Sequence, residues 1–199
     1  MASIINASTT SGLVITPDQS GVLQLQSGSN TATMPAATGT VMVSGNMPTF
    51  AAYNNSAAFS VSTNTNTTLP ADTKEWDTIG AFNNTASTVT LNGLSVPAYS
   101  YMPNIAGYYQ VNACLWTPTA SGGPLAPKIM KNGSQYRAGS TTALTTVTNN
   151  LAVVSSVVYL NGTTDYISIM MYQGSGGTLN CNNASPSYNY FNAALIRSA

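Results

Sequence analysis

The chain has 199 residues, 43% of them apolar and only 5% charged, with no histidine and a net charge of zero. An average globular protein carries about 25% charged residues, so the surface here must be built from Ser, Thr, Asn, Gln and Gly, while the apolar share argues against a disordered chain. Without a basic stripe nucleic-acid binding is disfavoured, and without histidine the usual Ser-His-Asp and Cys-His catalysis and the commonest zinc ligand are removed.

Residues 1–20 show neither a basic segment nor a long apolar run, which argues against a secretory signal. No stretch approaches the ~20 apolar residues of a membrane span, so no membrane insertion is expected. A neutral, polar-surfaced chain without an export signal fits a protein made in a cytoplasm and released by lysis. Helix formers are scarce, whereas Thr, Val, Asn and Gly are common, so strands are expected throughout.

In chain order, a Ser/Thr/Gly-rich arm runs to residue 48. Its apolar clusters are Leu13-Val14-Ile15, Val22 to Gln26 and Val41-Met42-Val43, with turns at Thr16-Pro17-Asp18 and Gly39. Leu23 and Leu25 alternate with Gln24 and Gln26, as on a half-buried strand. About three short strands bury little by themselves, so the arm is expected to dock on a neighbour.

The composition shifts at residue 49. Phe50 to Tyr53 and Ala58 to Ser62 read as strands, Leu69 to Asp72 as a turn, and Thr78 to Phe82 and Thr88 to Leu91 as further strands. The strongest strand covers 107–116, with Tyr109, Val111, Ala113 and Leu115 on one face and Tyr108, Gln110, Asn112 and Cys114 on the other. Beyond a Gly/Pro loop at 118–124 come Ile129-Met130, the run 150–160, a strand at 166–172, a turn at Gly174 to Gly177 and a last strand at 188–196. Asn161-Gly162 is the strongest hairpin-turn signal. About eight to ten short strands predict a sandwich or jelly roll.

Over residues 49–199 the chain resembles the globular heads of the complement one-q and tumour-necrosis-factor superfamily. The resemblance rests on Phe50-Ala51-Ala52, on Ala106-Gly107-Tyr108-Tyr109-Gln110-Val111, on the Lys131-Asn132-Gly133 turn, on Leu160 to Ile169 and on Phe191-Asn192-Ala193-Ala194-Leu195. Ala193 stands where the family has Gly, and a Gly-Asp pair is split into Gly162-Thr163-Thr164-Asp165. The resemblance implies an all-β antiparallel jelly-roll sandwich, TNF-like, preceded by the short β-rich arm. It also implies a homotrimer around a three-fold axis, each copy burying an aromatic-rich inner sheet. The segment Thr16 to Gln26 resembles the starts of small structural proteins of bacteriophages. That implies a virion protein whose arm, 1–48, anchors the head, 49–199, to other virion proteins.

Candidate chemistry is sparse. Asp72, Glu75 and Asp77 would make a glycosidase pair only if two carboxyls faced one another at about 5–9.5 Å across a cleft; a solvated turn including Lys74 is the favoured reading. Asp165 with Asn161 would hold calcium only with more oxygens than one carboxylate supplies, and a turn-capping Asp is favoured. Cys114 and Cys181 are either one bridge between neighbouring strands or two buried thiols, the commoner state of a lone cysteine. No catalytic, cofactor-binding or metal-binding residue is assigned.

The aromatics Tyr108, Tyr109, Tyr159, Tyr166, Tyr172, Tyr188, Tyr190 and Phe191 divide between core and surface. Tyr108, Tyr166, Tyr172 and Phe191 are candidates for the trimer interface, because such residues bury much area. Ser121 in loop 118–124, Ser175 in loop 173–178, and Tyr188 and Tyr190 in the stretch 186–190 are candidates for outside contacts with a host glycan or protein. The function expected is a non-enzymatic phage fibre or spike tip, a trimeric knob on the virion surface for host attachment. A capsid decoration protein is the alternative, and a polysaccharide depolymerase the less favoured one.

Overall fold

A computed structural model describes residues 23–27, 30–34 and 47–199, apart from 56, 58, 147–149 and 182–187. The chain divides into two compact units, 1–41 and 42–199. In the first, strands β1 (Leu23–Ser27) and β2 (Asn30–Met34) pair antiparallel, with Leu23 opposite Met34. The clusters and turns expected at 13–18, 39 and 41–43 lie outside the described residues, as do Pro186 and Ser187.

The second unit contains β3 (Thr49–Tyr53), β4 (Ser60–Val61), β5 (Thr67–Thr68), β6 (Thr73–Asp77), β7 (Val89–Leu91), β8 (Leu94–Val96), β9 (Gly107–Thr117), β10 (Pro124–Lys131), β11 (Ser134–Ala138), β12 (Thr142–Ala143), β13 (Asn150–Leu160), β14 (Ile167–Gln173), β15 (Leu179–Asn180) and β16 (Tyr190–Ser198). There is no helix among the described residues. One five-stranded sheet has the order β13-β9-β16-β3-β6; the other has β11-β10-β14-β5, with β12 also on β10. Every pairing is antiparallel. This is an all-β antiparallel jelly-roll sandwich.

Alternation builds the core as period-two sequence demands. Tyr109, Val111, Ala113 and Leu115 of β9 face inward with Ala152, Val154, Val158 and Leu160 of β13, against Ile129, Ile167, Ile169 and Met171 of the other sheet. Near the middle lies an aromatic cluster. Phe50 stacks on Phe82 (4.7 Å between centroids) and on Tyr101 (4.2 Å), and meets Phe191 edge-on at 4.8 Å. Each well-oriented ring pair adds about 0.5–1.5 kcal/mol beyond area burial.

Two expectations need correction. Asn161-Gly162 does not close a hairpin. It joins β13, paired to β9, to β14, paired to β10, so the chain crosses between sheets there. The local signal is the same because Gly162 has φ +73° and a Cβ on it would lie 2.6 Å from the Ala106 nitrogen. Among the described residues, hairpins of this kind are at Asn92-Gly93, between β7 and β8, and Asn132-Gly133, between β10 and β11; all four residues have positive φ, as a type I′ turn requires. The second correction concerns residues 73–77. They form edge strand β6, whereas 78–80 make the turn after it.

The sandwich has two distinct ends. At one, the Leu195 N–H donates to the Pro48 carbonyl and the Ala199 N–H to the Ala106 carbonyl. Lys131 and the 161–166 crossing lie at this same end, since Lys131 pairs with Ile167 and Leu160 with Gly107. At the opposite end the Gly174 N–H donates to Pro124, the Leu144 N–H to Gly123 and the Asn64 N–H to Gln173.

Candidate interaction surface

The outward face of the β13-β9-β16-β3-β6 sheet carries the most exposed apolar side chains of the unit. Along β13 every second residue from Leu151 to Tyr159 faces out, and the registers place Leu151 opposite Trp116, Val153 opposite Cys114, Val157 opposite Gln110 and Tyr159 opposite Tyr108. Val153 is 53% exposed, Val157 42%, Tyr108 42% and, at a bulge in β16, Ile196 55%. Tyr108 and Tyr159 pack with centroids 5.4 Å apart. Scattered exposed apolar residues are ordinary, but several gathered on one sheet face make it the candidate contact surface.

A polar ladder crosses the middle of this face. Asn112 donates to Asn192 (3.0 Å) and accepts from Ser155 (2.8 Å), while Gln110 donates to Ser155 (2.8 Å). Because these groups satisfy one another within the protomer, covering them would leave few polar atoms unpaired.

At the base, one network ties the two sheets. Asp165 accepts from Lys131 (2.8 Å), Asn132 (2.7 Å) and the Asn161 N–H (3.1 Å). Asn161 in turn accepts from the N–H groups of Thr163, Thr164 and Asp165. Lys131 also lies over the Tyr159 ring, 5.6 Å from its centroid. Burial pushes the Asp165 carboxyl up, but the Lys131 and Asn132 hydrogen bonds, the Lys131 charge and the Asn161 amide together hold it below the ordinary carboxylate range. The position considered for a cation is thus filled by an ammonium group. No cluster of three metal-ligating side chains occurs among the described residues.

Asp72 and Asp77 also hold backbone. Asp72 accepts from the N–H groups of Asn55 and Ala57, both at 2.7 Å. Asp77 accepts from those of Ala81 and Phe82, both at 3.0 Å, and from Lys74. Glu75 is exposed on β6. Asp72 and Asp77 stabilise turns, and Asp77 does so with a nearly buried side chain. Cys114 and Cys181 are both free and buried. Burial pushes both thiols up, that of Cys181 to about 12.

The aromatics singled out from sequence do not share a surface. Tyr108 lies on the exposed face. Phe191 does not belong to any surface: it is 1% exposed and packs edge-on against Phe50 inside the protomer, because its position in β16 alternates inward. Tyr172 belongs to β14 in the other sheet, where its hydroxyl donates to Asn64 and Lys128 lies over its ring. Tyr166 lies beside the Asn132-Gly133 turn, donating its N–H to Asn132. Tyr188 packs near Trp116, and Tyr190 is half-buried between Cys114 and Tyr53. Ser121 is exposed and Ser175 half-buried at the end away from the termini. The residues that sequence reasoning missed are Leu151, Val153, Val157 and Ile196. The signal was present: the 151–160 run is apolar on both faces, as in a strand covered on both sides.

No protein-family model and no curated protein matches the chain. Solved structures do. Murine APRIL aligns with a TM-score of 0.50 at 10% identity, over 76% of this chain and all of that one. The globular domain of the zebrafish complement 1qA protein aligns at 0.49 and 12% identity, over 77% and 100%. PRD1 vertex protein P5 aligns at 0.44 and 15% identity, over 76% and 96%. At 10% identity the likeness to APRIL concerns the fold alone.

Proposed function

We propose that this chain is a non-enzymatic structural protein of a bacteriophage particle, forming a homotrimeric surface knob for host attachment. The observation that carries the trimer is the set of exposed apolar side chains that flank the polar ladder on one sheet face: Leu151, Val153, Val157 and Tyr159, with Tyr108 and Ile196. Further copies of the same chain are its occupant. The face is largely apolar, with a self-satisfied polar ladder and a cation, Arg197, opposite Tyr108, and the resemblance of residues 49–199 to one-q and TNF heads implies trimers that bury this kind of sheet. The virion reading is supported by the phage-like 16–26 segment and by a composition with 5% charged residues. The non-enzymatic reading is supported by the absence of histidine and by the engagement of Asp72, Asp77 and Asp165 with backbone amides. Three equivalent heads would raise avidity without new chemistry.

Light scattering on the purified chain tests the assembly. Three-chain mass is expected, falling to one-chain mass in Val157→Glu with its β-rich circular dichroism retained. A wild-type monomer at micromolar concentration overturns the proposal. Labelling on purified particles tests the rest, since a signal spread over the capsid shell would replace attachment with shell decoration.

A further inference from the structure

We infer that the end of the sandwich opposite its termini is a preorganised contact surface for an uncharged polyhydroxyl ligand, a neutral glycan; this rests on the attachment reading above. Both Pro48 and Ala199 are hydrogen-bonded at the base, so the loops at the other end are the part of this unit most remote from where its chain enters and leaves.

Those loops are held by buried amides. Gln173, fully buried, donates to the Val61 carbonyl (2.8 Å) and the Gly177 carbonyl (2.7 Å) and accepts from the Ser175 N–H (2.7 Å). Asn150 donates to the Pro118 carbonyl (3.0 Å) and accepts from the Thr145 N–H (2.8 Å). Asn189 accepts from the Trp116 N–H (2.8 Å) and donates to the Cys181 carbonyl (2.7 Å). Burying an amide is costly unless its bonds are made, and here several are buried and bonded at one end. Gly123 and Gly174 lock two of the loops together: a Cβ on Gly123 would lie 2.0 Å from the Gly174 oxygen. Loops fixed in advance lose little entropy when a ligand binds.

The chemistry of this end selects the ligand class. The described residues of 54–71, 117–127, 138–152 and 173–190 carry no charge; of the charged residues beside them, Asp72 accepts from the Asn55 and Ala57 N–H groups and Lys128 lies over the Tyr172 ring, so an anionic ligand meets no unengaged cation. Apart from Leu151 at the top of the sheet face, none of the large exposed apolar residues lies there, and protein interfaces draw their energy from such anchors. The exposed side chains there include Thr65, Asn66, Ser121, Thr146 and Thr178, hydroxyls and an amide that both donate and accept. That pattern matches the hydroxyls of an uncharged sugar.

The probe is a panel of immobilised oligosaccharides, half uncharged and half anionic. Wild type is expected to be retained on uncharged chains at low and high salt alike, as binding without ion pairs is insensitive to screening. Ser121→Arg and Thr178→Arg should each weaken retention by about tenfold or more, through bulk and lost hydrogen bonds, with oligomer mass unchanged. Retention of no uncharged chain, retention on anionic chains alone, or equal retention of the variants overturns the inference. A three-chain mass without glycan retention overturns only this inference, whereas a one-chain mass overturns the trimer itself.

Discussion

Lys131 Nζ lies 2.8 Å from the Asp165 carboxylate and 2.8 Å from the Tyr159 carbonyl oxygen. A single ammonium thereby joins β10 of one sheet to the crossing segment and to the end of β13 in the other. The side chains are 23% and 11% exposed, so water screens the pair only in part. In a chain with five basic and five acidic residues, this pair holds the two layers together at the base.

Asp165 therefore makes stability pH-dependent. Its folded carboxyl is held below its unfolded value, so the stabilisation is complete above about pH 5 and is lost as pH falls through the folded value. Asp165→Asn should lower stability near neutral pH by about 1.5–3 kcal/mol and flatten the acid limb. Denaturant midpoints measured from pH 7 down to about pH 3 check this; an unchanged acid limb would contradict it.

Phe50 anchors the aromatic cluster through Phe82, Tyr101 and Phe191. Phe50→Ala should cost about 3–5 kcal/mol, from lost burial plus the cavity left behind. Phe191→Ala should fall in the same range, because Phe191 is a core residue. Urea unfolding of the two variants measures both, and a loss well under 1 kcal/mol for Phe191→Ala would place that ring outside the core.

Glycine substitutions should separate two kinds of strain. Gly176→Ala meets only a left-handed backbone, with φ +85° and nothing within 4 Å of the new Cβ, and should cost about 1–2 kcal/mol. Gly123→Ala has φ +72° and also drives its Cβ into the Gly174 backbone, so its melting temperature should fall further. Equal melting temperatures for the two variants would refute the close approach of the loops.

The thiols should be inert while the protein is folded. Cys181 is fully buried with its thiol pushed up to about 12, and Cys114 is 7% exposed. Reaction needs an accessible thiolate. Maleimide at about pH 8, where an ordinary thiol is partly ionised, should leave native protein unmodified and add two labels in denaturant without reductant, read by mass. Rapid native labelling would count against the buried placement, and a denatured chain that needs reductant would reveal a bridge.

Much of the fold was legible in local patterns. The alternation of Tyr109, Val111, Ala113 and Leu115 with Tyr108, Gln110 and Asn112 set out the two faces of β9, and Phe50-Ala51-Ala52 marked β3. The site was less legible. Tyr108, Tyr166, Tyr172 and Phe191 look alike as strand aromatics, yet they end up on one sheet face, beside a turn, on the other sheet and in the core. Val153 and Val157 looked like core residues because a valine has the same character on either face of a strand.

By itself the sequence determined the strand character, the neutral surface, the absence of histidine chemistry and the inward set of each long strand, because side-chain period and composition are local properties. Only the tertiary structure decided which strands are neighbours. It turned Asn161-Gly162 from a hairpin into a crossing between sheets, committed Asp72, Asp77 and Asp165 to backbone amides, and brought loops 118–123 and 174–177 together at one end. Antiparallel partners are chosen by contacts between residues far apart in the chain, such as Asn112 with Asn192 or Gly123 with Gly174. No local pattern specifies those contacts; the packing of two sheets around one core does.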